Sequence, residues 1–398
     1  MNLRRRTLSL ALAAAGLPPT LQASRRQPDV QDLQSLLAPP HELAGVAAAC
    51  WRAGQAPQVL LLGEDGNGQP VRADTIWRVA SISKLAQALV ALRLHARRLI
   101  DLDRPLSEFL GFSFVHPDGH APTGRELLSH RSGLRDRSDD GNYLPREAAL
   151  APELFKPLWS ARDFAYANVN SIVLGTALEA VSGLRYDELL ERELFTPLGI
   201  EAAFDPSRFS AAQRRRVATL QRRIDARLQA QTAKVHAQAP APRVGADYRP
   251  GRNCAAFGPQ GGLHTSLDGL MKLAEALRTR SPRLLDAAGH DALERPLWTG
   301  DAGVFQSWGS GAQRFTDRAG RDRLVPEGTG PGPLLGHLAE AYGLLGGLIV
   351  RPASSDRAGS NGWALVYLMH GLPPQPAAGR YSKFDAPEEA LMSALLSP

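Results

Sequence analysis

Strand-length apolar runs lie at the two ends of this chain, and a long stretch of helical pattern separates them. Near the start, GVAAACWRAG (Gly45 to Gly54) and PQVLLLGEDG (Pro57 to Gly66) are divided by Gly and Pro, the pattern of a hairpin. A third extended run, TIWRVA, leads into Ser81. Near the end, LLGHLA, LLGGLIV and WALVYLM fall between Leu334 and Met369. An isolated hairpin cannot bury its apolar face, so the two ends are expected to meet in one sheet. The predicted fold class is α+β (mixed α/β): an antiparallel sheet built from both termini and flanked by helices, beside a mostly helical second lobe. The sheet lobe is expected over about 42–80 and 325–398 and the helical lobe over about 81–324.

From Ser81 to about Arg98, SISKLAQALVALRLHARR repeats apolar residues at helical spacing without Gly or Pro. Further on, SIVLGTALEAVSG and GLMKLAEALRTR are helical runs between Gly and Pro breaks, and APEEALMSALL forms an amphipathic closing helix. The Pro- and Ala-rich stretch AQAPAPRVGADYRPG (Ala237 to Gly251) reads as a long exposed loop.

A chain of 398 residues, 43% hydrophobic and 22% charged, can bury a large core. Residues 1–23 carry three arginines, an apolar run from Leu8 to Leu17 and small residues near Ala23, the pattern of a signal peptide. That leaves 24–398 as the mature domain, in the periplasm or secreted, by the general or the twin-arginine route. The apolar run is about half the ~20 residues a membrane span requires, so no integral span is expected after processing. Loss of three arginines and no acid takes the formal charge from +6 to +3, which gives nucleic-acid binding no support. Arg214, Arg215, Arg216, Arg222 and Arg223 read as the solvated face of a helix. Cys50 and Cys254 are too few for a disulfide framework and are expected as buried or unpaired thiols.

Ser81 stands three residues before Lys84 at the start of a helix, which puts both side chains on one face a turn apart. Direct proton transfer is then possible, and the helix N-terminus favours the negative charge that forms when a serine attacks a carbonyl. Only five of the 46 basic residues are lysines. Where arginine serves nearly every fixed positive charge, a lysine at 84 points to deprotonation, because arginine keeps its proton. Tyr166 and Asn168 in FAYANVNS could move protons and hold an amide, and His337 in LLGHLA could share the same proton network. No serine lies in a G-x-S-x-G elbow. His116 and His120 are four apart, but Pro117 and Gly119 deny them a common helix face, so they read as exposed imidazoles on a loop and no metal site is predicted.

Together these residues resemble the family of serine beta-lactamases, D-alanyl-D-alanine carboxypeptidases and related esterases, especially its class C-like branch. RVASISKLAQAL is similar to the family's nucleophile motif, FAYANVN to its Tyr-x-Asn motif, and Gly336-His337 to its third motif. HARRLIDLDRPLSEFLG, ELLSHRSGL and PQGGLHTSLDGLMKLA extend the likeness over most of 42–395. The resemblance implies a beta-lactamase/DD-peptidase-like fold with Ser81 acylated and Lys84, Tyr166 and His337 as catalytic residues. It also implies that Asn168 orients a substrate amide, and that the backbone N–H groups of Ser81 and Glu340 hold the oxyanion. The substrate would be a small molecule or peptide, cell-wall material included, and no metal or organic cofactor is needed. The third motif departs from the family at Leu338, which lacks a hydroxyl for a substrate carboxylate, and at Ala339, whose methyl stands where glycine lets substrate approach. An ester or less anionic amide is therefore expected to fit better than a penicillin. The rival from another class is a non-catalytic sensor or binding protein that keeps the fold with a degenerate third motif.

Overall fold

The two ends of the chain do meet. The computed structural model describes residues 33–137, 143–146, 148–234, 240–300, 307–353 and 362–396. The signal peptide read at 1–23 lies outside these residues. The sheet begins with β1 (Gly45–Arg52) and β2 (Gln58–Gly63), while β3 (Ile76–Arg78), β4 (Ala202–Ala203) and β7 (His264–Ser266) form a separate small sheet, and β5 (Gln221–Ile224) and β6 (Arg227–Ala230) form a hairpin. The main sheet is completed by β8 (Trp298–Thr299), β9 (Ser307–Trp308), β10 (Gln313–Phe315), β11 (Leu334–Ala341), β12 (Leu344–Arg351) and β13 (Trp363–His370). Its order is β2-β1-β13-β12-β11-β10-β9-β8, antiparallel throughout.

Two expectations change. The run TIWRVA leaves the main sheet and pairs with β7, His264 opposite Arg78. The main sheet also takes β8 to β10 from a stretch read as helical, because strands of two or three residues are too short to show an alternating pattern. Arg222 and Arg223 lie on β5, not on a helix. The two residues joining β5 to β6, Asp225 and Ala226, both have positive φ, as a tight hairpin turn demands.

The long helices are α1 (Ile82–Ala96), α2 (Val169–Ser182), α3 (Leu267–Arg278) and α4 (Ala386–Leu396). Strand alternation divides the sheet's side chains between two cores. Leu335, Ala339, Leu348, Val366 and Leu368 join the core that contains α1, α2 and α3. Leu334, Leu338, Leu345, Leu365 and Met369 join the other, covered by Leu391, Met392 and Leu395 of α4. Each such leucine contributes about 1.5–3 kcal/mol on full burial. Cys50 and Cys254 are buried free thiols. Residues 240–251 run as irregular loop, as read, tied down at Tyr248 and Gly251. Among the described residues no helix is long and apolar enough to cross a membrane.

Candidate active site

The chain reaches Ser81 through a strained corner. Val79 N–H donates to Leu263 O, which keeps the end of β3 beside β7, and Ala80 then takes φ +43 before the helix begins. A left-handed alanine costs roughly 1–2 kcal/mol. It is held by Ser83, whose hydroxyl donates to Ala80 O at 2.6 Å and accepts from Leu263 N–H at 3.1 Å. Ser81 is the N-cap of α1, and Lys84 lies one turn along.

Lys84 Nζ donates to Ser81 Oγ at 3.1 Å, to Asn168 Oδ1 at 2.7 Å and to Gln260 O at 2.7 Å. Three acceptors match the three hydrogens of an ammonium. Burial nevertheless disfavours the charge and brings the Lys84 pKa down to about 7, with the Asp136 carboxylate pulling the other way. Desolvation is the larger effect. At neutral pH a substantial share of Lys84 is therefore a free amine facing a serine hydroxyl.

The Lys84 amine also lies 4.9 Å from the centre of the Tyr166 ring. Burial pushes the Tyr166 phenol well up, the Ser81 hydroxyl as a hydrogen-bonding neighbour works against it, and the charge of Asp136 adds to the rise. A phenol held protonated can pass a proton on but cannot be the resting base. Of the two groups, the amine is the one brought toward its unprotonated form near neutral pH. Asn168 is fixed from behind, since its N–H and Nδ2 both donate to Asp136 Oδ2, at 2.7 and 2.9 Å, while Val169 N–H donates to Asp136 Oδ1 at 3.0 Å. Asp136 thus caps α2 and aims the Asn168 carbonyl at Lys84.

His337 is buried on β11, 6.3 Å from Tyr166 and 5.4 Å from Trp308 between ring centres. Its Nδ1–H donates to Leu338 O at 2.5 Å, which leaves Nε2 without a hydrogen-bond partner among the described residues. Burial and the nearby Lys84 charge depress its pKa to about 3, so the ring is neutral. It is a neighbour of the proton network without a hydrogen bond into it. Leu338 and Ala339 also take unexpected places. Leu338 turns into the core beneath α4, away from Ser81, so a hydroxyl at that position would lie in apolar surroundings instead of at the site. The Ala339 methyl packs into the core against α1 and is 1% exposed.

The Glu340 N–H faces the β10 side of β11. Leu338 N–H donates to Gln313 Oε1 at 3.1 Å, on the β10 side of β11, and alternation turns the Glu340 N–H to the same side. The β10 pairing ends at Gly336, so Glu340 lies past it.

Sequence reasoning assigned no role to Asp136, His130 or the Gln260 carbonyl. His130 is buried, 4.4 Å from Tyr166 and 4.7 Å from Trp308 between ring centres, and its Nδ1 accepts from Ala167 N–H. It backs the tyrosine ring. His130 and Gln260 lie in stretches marked as similar to the family, ELLSHRSGL and PQGGLHTSLDGL, whereas Asp136 had no signal beyond following the first. His116 and His120 lie on a loop as expected but are half-buried, hydrogen-bonded to Ser160 O and to Glu126 respectively.

The family model described as Beta-lactamase matches residues 33–386. Esterase EstB of Burkholderia gladioli is 31% identical over 173 residues, 36% of this chain and 43% of the esterase. The D-alanyl-D-alanine-carboxypeptidase/endopeptidase AmpH of Escherichia coli is 28% identical over 155 residues, 36% of this chain and 40% of AmpH. The chain thus spans less than half the length of these curated relatives. Among solved structures, D-amino acid amidase from Ochrobactrum anthropi superposes with a TM-score of 0.66 at 18% identity, over 92% of this chain and 96% of the amidase. A class C beta lactamase from Rhodobacter sphaeroides gives 0.65 at 17% identity, over 92% and 96%. These two likenesses speak to the fold alone. A match that runs from residue 33 to residue 386 takes in both ends of the sheet and everything between them, and the chain belongs to the Beta-lactamase family.

Proposed function

We propose that this protein is an exported serine hydrolase that forms an acyl-enzyme on Ser81 and hydrolyses an amide or ester bond. The observation that carries this reading is the buried Lys84 amine, 3.1 Å from Ser81 Oγ with its pKa brought down to about 7. In the acylation step the Ser81 proton passes to Nζ while Oγ bonds to the carbonyl carbon, and the carbonyl electron pair moves onto oxygen. The N–H groups of Ser81 and Glu340 hold that oxyanion beside the strand at Ala339. Collapse re-forms the carbonyl and expels the amine or alcohol, which takes a proton from Lys84 by way of Tyr166. Water then attacks the Ser81 ester, and release of the acid restores the hydroxyl. Asn168 orients the substrate through its amide, and the neutral His337 ring stands behind Tyr166.

The names of the relatives, an esterase and a carboxypeptidase/endopeptidase, favour an ester or peptide substrate, and the amidase fold neighbour is in keeping with this. They support a carboxypeptidase or esterase type of activity on a small molecule or peptide, and the proposed substrates include cell-wall material. Export to the periplasm or beyond rests on residues 1–23. The departure at Leu338 and Ala339 favours the second reading, a sensor that keeps the fold without turnover. Exposure of purified protein to a fluorophosphonate, read by intact mass, decides between them. One covalent adduct is expected, lost entirely in Ser81→Ala. No adduct above or below neutral pH would leave the sensor.

A further inference from the structure

Leu338 offers nothing to a substrate anion, yet positive charge is concentrated elsewhere beside the site. A cavity of about 440 Å³ opens between Arg146, Ala148 and Ala149 on one side and residues from 243 to 256 on the other. Arg146, Arg243, Arg249 and Arg252 line it, against the carboxylate of Asp247 alone among the described lining residues. Arg146, Arg249 and Arg252 are exposed and make no ion pair among the described residues. Arg243 is half-buried and donates to Ala256 O at 3.2 Å. Burial pulls its pKa below the ordinary value, and the charges of Arg78 and Arg146 act in the same direction against Asp205. Bringing an anion there would relieve that crowding.

The walls are built in advance. Glu179 of α2 is fully buried and accepts from Tyr248 Oη at 2.7 Å and from Gly251 N–H at 3.1 Å. Asn253 Nδ2 donates to Pro145 O at 2.6 Å and Ala148 O at 2.7 Å, which joins the two segments that form the cavity. A chain of side-chain and backbone interactions leads from the cavity wall toward the Ser81 end of α1. Arg243 senses the charge of Arg78 and of Tyr342. Arg78 donates to Gly261 O at 2.9 Å, and the preceding carbonyl, that of Gln260, accepts from Lys84. Tyr342, whose ring lies 4.3 Å from the Arg78 guanidinium, comes two residues after Glu340. A substrate whose carbonyl sits on Ser81 and Glu340 and whose acyl chain follows the end of β11 therefore runs toward these arginines.

We propose that this arginine-lined cavity is an acyl-side anion subsite, which takes a carboxylate carried on the substrate's acyl chain at a distance from the bond that breaks. The inference rests on the hydrolase reading for its place in the reaction. The subsite itself does not. Guanidinium groups suit a carboxylate because they can pair with both of its oxygens, and hydrogen bonds to charged groups are among the stronger ones.

The test compares two nitrophenyl esters of equal acyl length, the hexanoate and the monoester of adipate, on the full-length protein. The kcat/KM for the adipate ester is expected to exceed that for the hexanoate by about tenfold, the scale of one charge-assisted hydrogen bond. That ratio should fall toward one in Arg146→Gln/Arg252→Gln, two exposed positions whose replacement leaves the packing intact, and should shrink with added salt. A ratio near one in the unaltered protein, or one that survives both substitutions, overturns the proposal. Calorimetry of free adipate with Ser81→Ala is independent of turnover. Binding that disappears when Arg146→Gln/Arg252→Gln is added supports the subsite, and no binding overturns it. Failure to hydrolyse either ester would count against the hydrolase reading, with the calorimetry still deciding the subsite.

Discussion

Asp136 makes no hydrogen bond to Ser81 or Lys84, yet it acts on both of the properties from which the proposed reactivity of the pair is argued. Its carboxylate fixes the orientation of Asn168, and its charge holds the Lys84 pKa up against burial. The two effects separate by measurement. If only the free amine of Lys84 can take the Ser81 proton, kcat/KM rises with pH through the Lys84 pKa, near 7. In Asp136→Asn the opposing charge is gone, Lys84 loses its proton more readily, and the rising limb should move to lower pH by about one unit. The plateau should also drop, by roughly tenfold, as Asn168 loses one of its anchors. A limb that stays in place or moves upward would show that Asp136 has no electrostatic hold on the lysine. At this scale the sequence is legible where spacing implies geometry. Ser81 and Lys84 share a helix face three residues apart, and Tyr166 and Asn168 stand just before a helix that announces itself by its apolar run. Asp136 meets Asn168 from 32 positions away in the chain, and no periodicity connects such a pair.

β11, β12 and β13 lie in the middle of the main sheet, and their packing depends on particular small residues. Tyr367 of β13 is fully buried and donates from Oη to Glu388 Oε1 of α4 at 2.6 Å. Gly347 of β12 lies directly opposite Tyr367, and a Cβ added there would come 2.6 Å from the ring edge. The ring cannot yield without breaking the bond to Glu388. Gly347→Ala is therefore expected to cost about 1–3 kcal/mol, the range for overpacking a dense core, as a lower urea midpoint with an unchanged slope. Unchanged stability would mean that the Tyr367 ring is free to shift. The runs that became β1, β11, β12 and β13 were plain in the sequence because each is eight residues long and almost wholly buried. β8 and β9 were not, since two residues held between tertiary neighbours leave no pattern. The arginines at 222 and 223 misled for a related reason: a run of long polar side chains suits an exposed hairpin as well as a helix face.

The molecule as a whole is a sheet with a core on each face, and each core encloses ionisable groups that burial pushes toward their neutral forms. Beneath α4, burial raises the Glu388 carboxyl to about pKa 8, with the bond from Tyr367 opposing it. In the other core, burial raises Glu179 to about 7. A carboxyl that binds its proton more tightly when folded adds stability that is complete below its ordinary pKa and is lost as pH rises through the folded value. For Glu388 that window runs from about 4.5 to about 8, and each unit within it is worth about 1.4 kcal/mol. His264 and His337 are both depressed to about 3, so their stability is complete above pH 6.5 and is lost as pH falls below it. Lys84, depressed to about 7, adds stability only as pH climbs from there toward 10.5. The carboxyl and histidine slopes oppose each other between about pH 4.5 and pH 6.5, and Glu388 is the member that can be isolated. Glu388→Gln keeps an acceptor for Tyr367 and removes the titration. The loss of unfolding free energy between pH 5 and pH 8, read from urea denaturation at each, should shrink by several kcal/mol relative to the unaltered protein, on the scale of about 1.4 kcal/mol per pH unit. An equal loss in both proteins would mean that Glu388 is already ionised in the folded state. The bond from Tyr367 would then outweigh the burial of the carboxylate, the reverse of the balance argued for this core.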